Sequence, residues 1–232
     1  MVFKHKTMTE SAALELRKAI LGGVYPPGTH LVPAVLEEDL QLSRTAIREA
    51  IRELVGTGLA DSTTHKGACV ADPLGIEEIR EIFEIRYQLE GKAALLGTRQ
   101  ISADGITEME GLLEEMSGPR KGDRYLDFLL NQQFHVVLYR ASGWKYLVKV
   151  IDRMFDQVLA FRSSLYHRFT EAEFEATVNW ETFKPYHQDH IRILEVVKAR
   201  DPEGARAAVV DNLKRGLDGL EKMLVFLEQR LT

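Results

Sequence analysis

The stretch "QLSRTAIREAIREL", residues 41–54, decides how the first third of the chain is read. Arginines stand at positions 44, 48 and 52, each one helical turn from the next. On a wheel at 100° per residue, Ala46, Ile47, Ala50, Ile51 and Leu54 share one arc, the face that packs. Arg44, Thr45, Arg48 and Arg52 occupy the adjacent edge, and Glu49 and Glu53 lie beyond it. The helix therefore separates core, cation and anion into three sectors. Taken alone, the cationic edge reads either as a solvated stripe pairing with glutamates or as a surface laid on phosphate.

What flanks the stretch favours phosphate. Residues 9–22 have the pattern of an amphipathic helix, and GGVYPPG at 22–28 ends it, because glycine and two prolines cannot continue a helix. Pro33 suits the first turn of a short helix over 33–40. Gln41-Leu42 is a tight connection and Ser43 an N-cap for a helix over 44–56. Then come two short strands, LADS and ACVA, joined by THKG, with His65, Lys66 and Gly67 at the tip. Short helix, turn, cation-edged helix and Gly-tipped hairpin is the order of a winged helix-turn-helix, whose second helix enters the major groove. DPLG at 72–75 marks a boundary, so the expected division is 1–73 and 74–232.

Residues 19–70 resemble the winged helix of the GntR family of bacterial regulators. The resemblance rests on Ile20, Gly23, Pro27-Gly28, Leu31, Ser43-Arg44, Ile47-Arg48-Glu49-Ala50-Ile51, Leu54, Gly58-Leu59, and Gly67 with Val70. It implies that Arg44, Thr45 and Arg48 contact DNA and that the wing around Gly67 touches the minor groove. With their neighbours, the candidate DNA-binding set is Ser43, Arg44, Thr45, Arg48, Arg52, His65, Lys66 and Gly67. Two positions depart from the family's usual arginine: Ala34 in the second helix and Lys66 at the wing.

Bulk composition gives no such hint. The 232 residues carry 30 Lys/Arg against 35 Asp/Glu, a net of -5, and residues 1–73 alone hold 8 against 9. A nucleic-acid partner must be recognised through local patterning. No apolar run approaches membrane-helix length and the N-terminus lacks a signal-peptide core, so a cytoplasmic protein is expected. The single cysteine, Cys69, excludes an internal disulfide.

From residue 76 onward helical stripes dominate, over roughly 76–99, 103–116, 122–142, 144–166, 181–199 and 202–230. The fold class is thus mainly α: a small winged helix followed by an all-α bundle. Five of these helices carry polar residues inside their apolar stripes: Arg86 with Glu90, Asn131 with His135, Arg162, His190 and Asn212. Together they suggest a polar cavity, since a bundle interior otherwise excludes such groups. This half resembles the FCD domain, the ligand-binding bundle of the FadR branch of GntR regulators. The resemblance rests on Arg86 with Leu89-Glu90, Phe134-His135, His190 with Ile193, and Asp201 leading to Asn212-Leu213.

Many FCD domains hold a divalent metal on an Asp and three His. The resemblance carries those ligands onto Asn131, His135, His190 and Asn212, so two of the four are altered. His135 and His190 remain as candidate ligands for a weakly bound Zn²⁺ or Ni²⁺, with His187 or Asp127 as substitutes, but two imidazoles and two amides make a poor site. No resident cofactor is expected. The candidate effector-binding set is Arg86, Asn131, His135, Arg162, His190 and Asn212, with an arginine holding a carboxylate. For Arg86 the alternative is an internal ion pair with Glu90. An enzyme reading finds no support: Gln132, Lys184 and His187 stand where a carboxylate bundle would need Glu before each histidine. A homodimeric, DNA-binding, effector-controlled repressor is the expected function, with a metal-responsive regulator on the same scaffold as the alternative.

Overall fold

The structure is a computed structural model that describes residues 8–63, 67–117, 124–166, 168–169, 173 and 180–229. His65 and Lys66 at the wing tip, the 118–123 connection, His167 and the Asp127 side chain lie outside the described set.

Three helices open the chain: α1 (Met8–Leu21), α2 (Pro33–Leu40) and α3 (Arg44–Thr57). Each stops for a local reason. Gln41 closes α2 in the left-handed region, at φ 54°, and its side-chain amide donates to the Glu38 carbonyl at 2.7 Å. The Ser43 hydroxyl accepts from the Ala46 amide and caps α3. Gly58, at φ 81°, ends α3 by donating to the last carbonyls, a conformation glycine adopts without steric cost. The buried face of α3 is Ala46, Ile47, Ala50, Ile51 and Leu54, the arc expected from the wheel. It packs with Ala12, Leu16, Leu31 and Leu59 into a first hydrophobic core.

Strands β1 (Ala60–Thr63) and β2 (Gly67–Val70) pair antiparallel, with Ala60 opposite Val70. The segment after the prolines adds a third edge. Leu31 donates to the Ala68 carbonyl at 2.8 Å, Val70 donates to Thr29 at 2.9 Å, and His30 bridges Cys69. Residues 29–32 carry no assignment in the sequence; their pairing to β2 is a tertiary contact with no periodic signature.

The bundle follows as α4 (Ile76–Gln100), α5 (Ala103–Glu115), α6 (Arg124–Arg140), α7 (Lys145–Tyr166), α8 (Trp180–Lys198) and α9 (Pro202–Gln229). Its core, separate from the first, is built around Phe83, Phe134, Leu138, Tyr139, Ile151 and Val209. Gly97 lets α4 meet α6 closely, because a β-carbon there would overlap the Leu138 carbonyl oxygen. That approach brings Glu90 of α4 to Tyr139 of α6. No described helix is long and apolar enough to cross a membrane.

Helix α7 belongs to both cores. Ile151, Phe155 and Val158 lie in the bundle core, while Leu159 and Ala160 pack on the winged helix.

Candidate DNA interface and effector site

On α3 the cationic edge is exposed along its length: Arg44, Thr45, Arg48 and Arg52 all face out. Their surroundings differ. Arg44 Nε donates to Glu37 of α2 at 2.9 Å, and Arg52 pairs with Glu49 on its own helix. Both pairs are solvated, so each is worth at most about 1 kcal/mol and is readily exchanged for phosphate or a base edge. Ser43 is exposed and spends its hydroxyl on the cap, which leaves its backbone at the helix N-terminus where an anion is favoured. Gly67 begins β2 at φ 92°, in the left-handed region.

Of the seven polar residues expected to point inward, Arg86, Glu90, His135, His190 and Asn212 are buried, while Asn131 and Arg162 are half-buried. Arg86 Nε donates to Glu90 Oε1 at 2.5 Å, and its guanidinium stacks between the rings of Phe83 and Phe155, 4.8 and 4.4 Å from their centroids. The Tyr139 hydroxyl donates to Glu90 Oε2 at 2.7 Å and lies 3.3 Å from His135 Nδ1. Since that hydroxyl's proton points at Glu90, its oxygen accepts from His135 Nδ1–H. His135 Nε2 is then left for Asn212, which hydrogen-bonds the ring. Tyr139 was not singled out by sequence reasoning. Its signal was there: it stands one turn after His135.

His190 is arranged in the same way. Its Nδ1 donates to the Tyr186 carbonyl at 2.6 Å, so its Nε2 carries a lone pair. The Asn131 amide lies 2.9 Å from that nitrogen and satisfies it by presenting its own N–H, an amide flip being equivalent in shape. Burial lowers the pKa of His135 well below the usual imidazole range, and the neighbouring His190 and Arg86 lower it further. Burial also takes His190 down to about 4, against the opposing pull of the Tyr186 carbonyl. Both rings are neutral at physiological pH, with centroids 5.1 Å apart and each Nε2 capped by an asparagine.

The two rings have the anchored Nδ1–H that metal-binding histidines use. The rest of the set does not fit a tight divalent site: Asn131 and Asn212 are neutral amides, and no cluster of three or more His, Cys, Asp or Glu ligands occurs among the described residues. His187 reaches toward Ser117 instead, at 3.3 Å.

Arg162 of α7 is half-buried. Its guanidinium lies 5.0 Å from the Phe128 ring, one turn before Asn131, and its charge reaches Tyr186, one turn before His190. Its Nε is buried and has no hydrogen-bond partner among the described residues.

Between winged helix and bundle lies a second polar cluster that sequence reasoning missed. Arg17 of α1 pairs with Asp156 of α7, and the Ser163 hydroxyl donates to the Leu21 carbonyl. Asp156 is buried, with one oxygen unpartnered among the described residues. Burial raises its pKa to about 6 despite Arg17, and Asp152 and Glu53 push the same way. A carboxyl raised on folding from 3.8 to about 6 contributes stability that is full below 3.8 and lost as pH rises through about 6, a difference of about 3 kcal/mol. Asp156→Asn should remove this dependence. Urea unfolding of wild type and variant at pH 4.5 and 7.5 should show their stability difference changing by about 2 kcal/mol, with wild type gaining at the lower pH. A constant difference refutes the burial-driven shift.

A winged helix with an arginine-edged recognition helix, joined to a bundle with a buried polar site, defines a DNA-binding regulator rather than an enzyme. Comparison with known families agrees. Residues 8–70 match the model for bacterial regulatory proteins of the gntR family, and residues 81–215 match the FCD domain. The chain belongs to the GntR family of transcriptional regulators, in its FCD-domain group. It is 27% identical over 215 residues to the HTH-type transcriptional regulator McbR of Escherichia coli K12, covering 92% of this chain and 93% of that one. It is likewise 27% identical over 212 residues to the uncharacterized HTH-type regulator YdhC of Bacillus subtilis, covering 90% of this chain and 89% of that one. The solved structure of E. coli McbR/YncC shares the fold at a TM-score of 0.75 and 22% identity, covering 98% of this chain and 100% of that one.

Proposed function

We propose that the protein is a cytoplasmic homodimeric repressor whose residues 1–73 read a two-fold operator and whose residues 74–232 bind a small organic carboxylate and dimerise. Ser43, Arg44, Thr45 and Arg48 would meet bases and phosphate, with Arg52 on the backbone and the wing (His65, Lys66 and Gly67) at the minor groove. Repression is the action that needs only operator occupancy, and the effector would shift occupancy by binding two placements of the winged helices unequally.

One observation carries the effector reading: the buried Nε of Arg162 has no hydrogen-bond partner among the described residues, on a guanidinium that lies over Phe128 and whose charge reaches Tyr186, one turn before His190. An unpaired guanidinium nitrogen in a bundle is costly, and a carboxylate is the ligand that best repays it. Arg86 supports the site at one remove, because Glu90 and two aromatic rings already hold its guanidinium. The neutral imidazoles and the amides of Asn131 and Asn212 would then hydrogen-bond the rest of the ligand.

A thermal-shift screen of full-length protein with mono- and dicarboxylates, acetate through succinate and glycolate, tests this. At least one acid should raise Tm, and Arg162→Gln should weaken its binding about 10- to 100-fold, the loss of one charge-assisted contact. An equal response in the variant removes Arg162 from the site. Stabilisation by stoichiometric Zn²⁺ or Ni²⁺ and by no acid would favour the metal-responsive alternative on His135 and His190.

A further inference from the structure

Helix α7 presents two faces that do different things. Ile151, Phe155, Val158 and Arg162 turn toward the bundle interior, where Phe155 stacks on Arg86 and lies 6.5 Å from the His135 ring. About a third of a turn around the same helix, Asp152, Asp156, Leu159, Ala160 and Ser163 form a second face. Leu159 and Ala160 of that face pack against the winged-helix core, and Ser163 holds the Leu21 carbonyl at the end of α1. Asp156, the residue next to Phe155, holds Arg17.

We propose that the Arg17–Asp156 pair is an interdomain latch: it fixes the angle at which the winged helix sits on α7, and α7 carries displacements of the polar site to it. The apolar contact between the two parts is small, resting on Leu159 and Ala160, and such surfaces leave relative motion as the default. A directional contact is what selects one placement among several. A buried ion pair is suited to this, since it contributes register more readily than net stability. Glu53 of α3 and Asp152 also face Asp156, so an unpaired Asp156 would be repelled from this position rather than merely released. A ligand at Arg162 acts on the same helix less than two turns away, and a rigid helix moves as a unit. The assignment of a regulatory role rests on the proposed effector reading; the latch itself does not.

The test therefore uses no ligand. Full-length protein with Cys69→Ser carries spin labels at Glu38→Cys in α2 and Thr107→Cys in α5, diluted with unlabelled chain so that only distances within a chain are read. Wild-type latch residues should give one narrow distance distribution. Arg17→Gln and Asp156→Asn should each broaden it about twofold or shift its centre, and the double variant should do no more than either single one, because both remove the same interaction. Unchanged distributions, or effects that add, would overturn the latch. If Asp156→Asn melts the bundle by circular dichroism, Arg17→Gln carries the test alone, since Arg17 lies on the winged helix and reaches solvent. Arg162→Gln should leave the distribution narrow. Loss of carboxylate binding in that variant, or its absence in wild type, bears only on the effector reading.

Discussion

Arg44→Ala should sharply weaken discrimination between operator and unrelated duplex. A bidentate arginine–base contact is worth about 1–3 kcal/mol, so affinity for the operator should fall about 10- to 100-fold while non-specific binding changes little. Arg48→Ala should act comparably, and the two together should bring operator binding down to the non-specific level. Arg52→Ala is the internal control: it lies two turns farther along, is held by Glu49, and should cost less than about threefold. The measurement is fluorescence anisotropy on an operator duplex recovered by in vitro selection, repeated at several salt concentrations. A contact to phosphate lowers the salt slope by about one, whereas a contact to a base edge changes specificity instead. The prediction is sharp because the chain is acidic. With 8 Lys/Arg against 9 Asp/Glu in residues 1–73, no diffuse positive field compensates for a lost arginine. Operator affinity unchanged by Arg44→Ala would remove α3 from the groove.

The recognition helix was legible in the sequence because every determinant is local. Ser43, the apolar arc and Gly58 act over one to four residues, and the buried set of α3 matches the wheel. The convergence of Arg86, His135, His190 and Asn212 was legible for a related reason: polar residues in an apolar stripe must point inward wherever the helices go. The Arg86–Glu90 pair, one turn apart on α4, stood open in the sequence as an alternative to a ligand. What was not legible is the second partner of Glu90, the Tyr139 hydroxyl, because it depends on how α4 and α6 cross, which Gly97 sets through contact with a carbonyl over forty residues away in sequence. Tyr139 escaped notice because a tyrosine in a stripe reads as core, and only the α4 contact reveals its hydroxyl's work. The second face of α7 was hidden for the opposite reason. Asp152, Asp156 and Ser163 look like a solvated face, and only the docked winged helix buries Asp156.

Glu90→Ala should be among the most destabilising single changes in the bundle, at about 3–5 kcal/mol, because it leaves the Arg86 charge buried without its counterion. The Tyr139 hydroxyl loses its acceptor in the same step and is free to turn toward His135, so the imidazole tautomer is no longer fixed. For a chain of this length each kcal/mol moves Tm by about 2–4 °C, so a drop of about 6–20 °C is expected by calorimetry. The paired substitution Arg86→Met with Glu90→Leu removes both charges and keeps comparable volume, and it should recover most of the loss, since replacing a buried ion pair by packed apolar groups is commonly neutral or better. That recovery separates two roles for Arg86. If the arginine is a structural partner of Glu90, the double variant folds and still answers to the carboxylate that Arg162 holds, weakened only by the loss of the Tyr139–His135 orientation. If Arg86 holds the effector carboxylate directly, the double variant folds and is silent to every acid in the screen. The geometry favours the first outcome: the guanidinium already has a carboxylate at 2.5 Å and an aromatic ring on each side, and a second anion would have to displace Glu90, a buried carboxylate that would then lose its counterion.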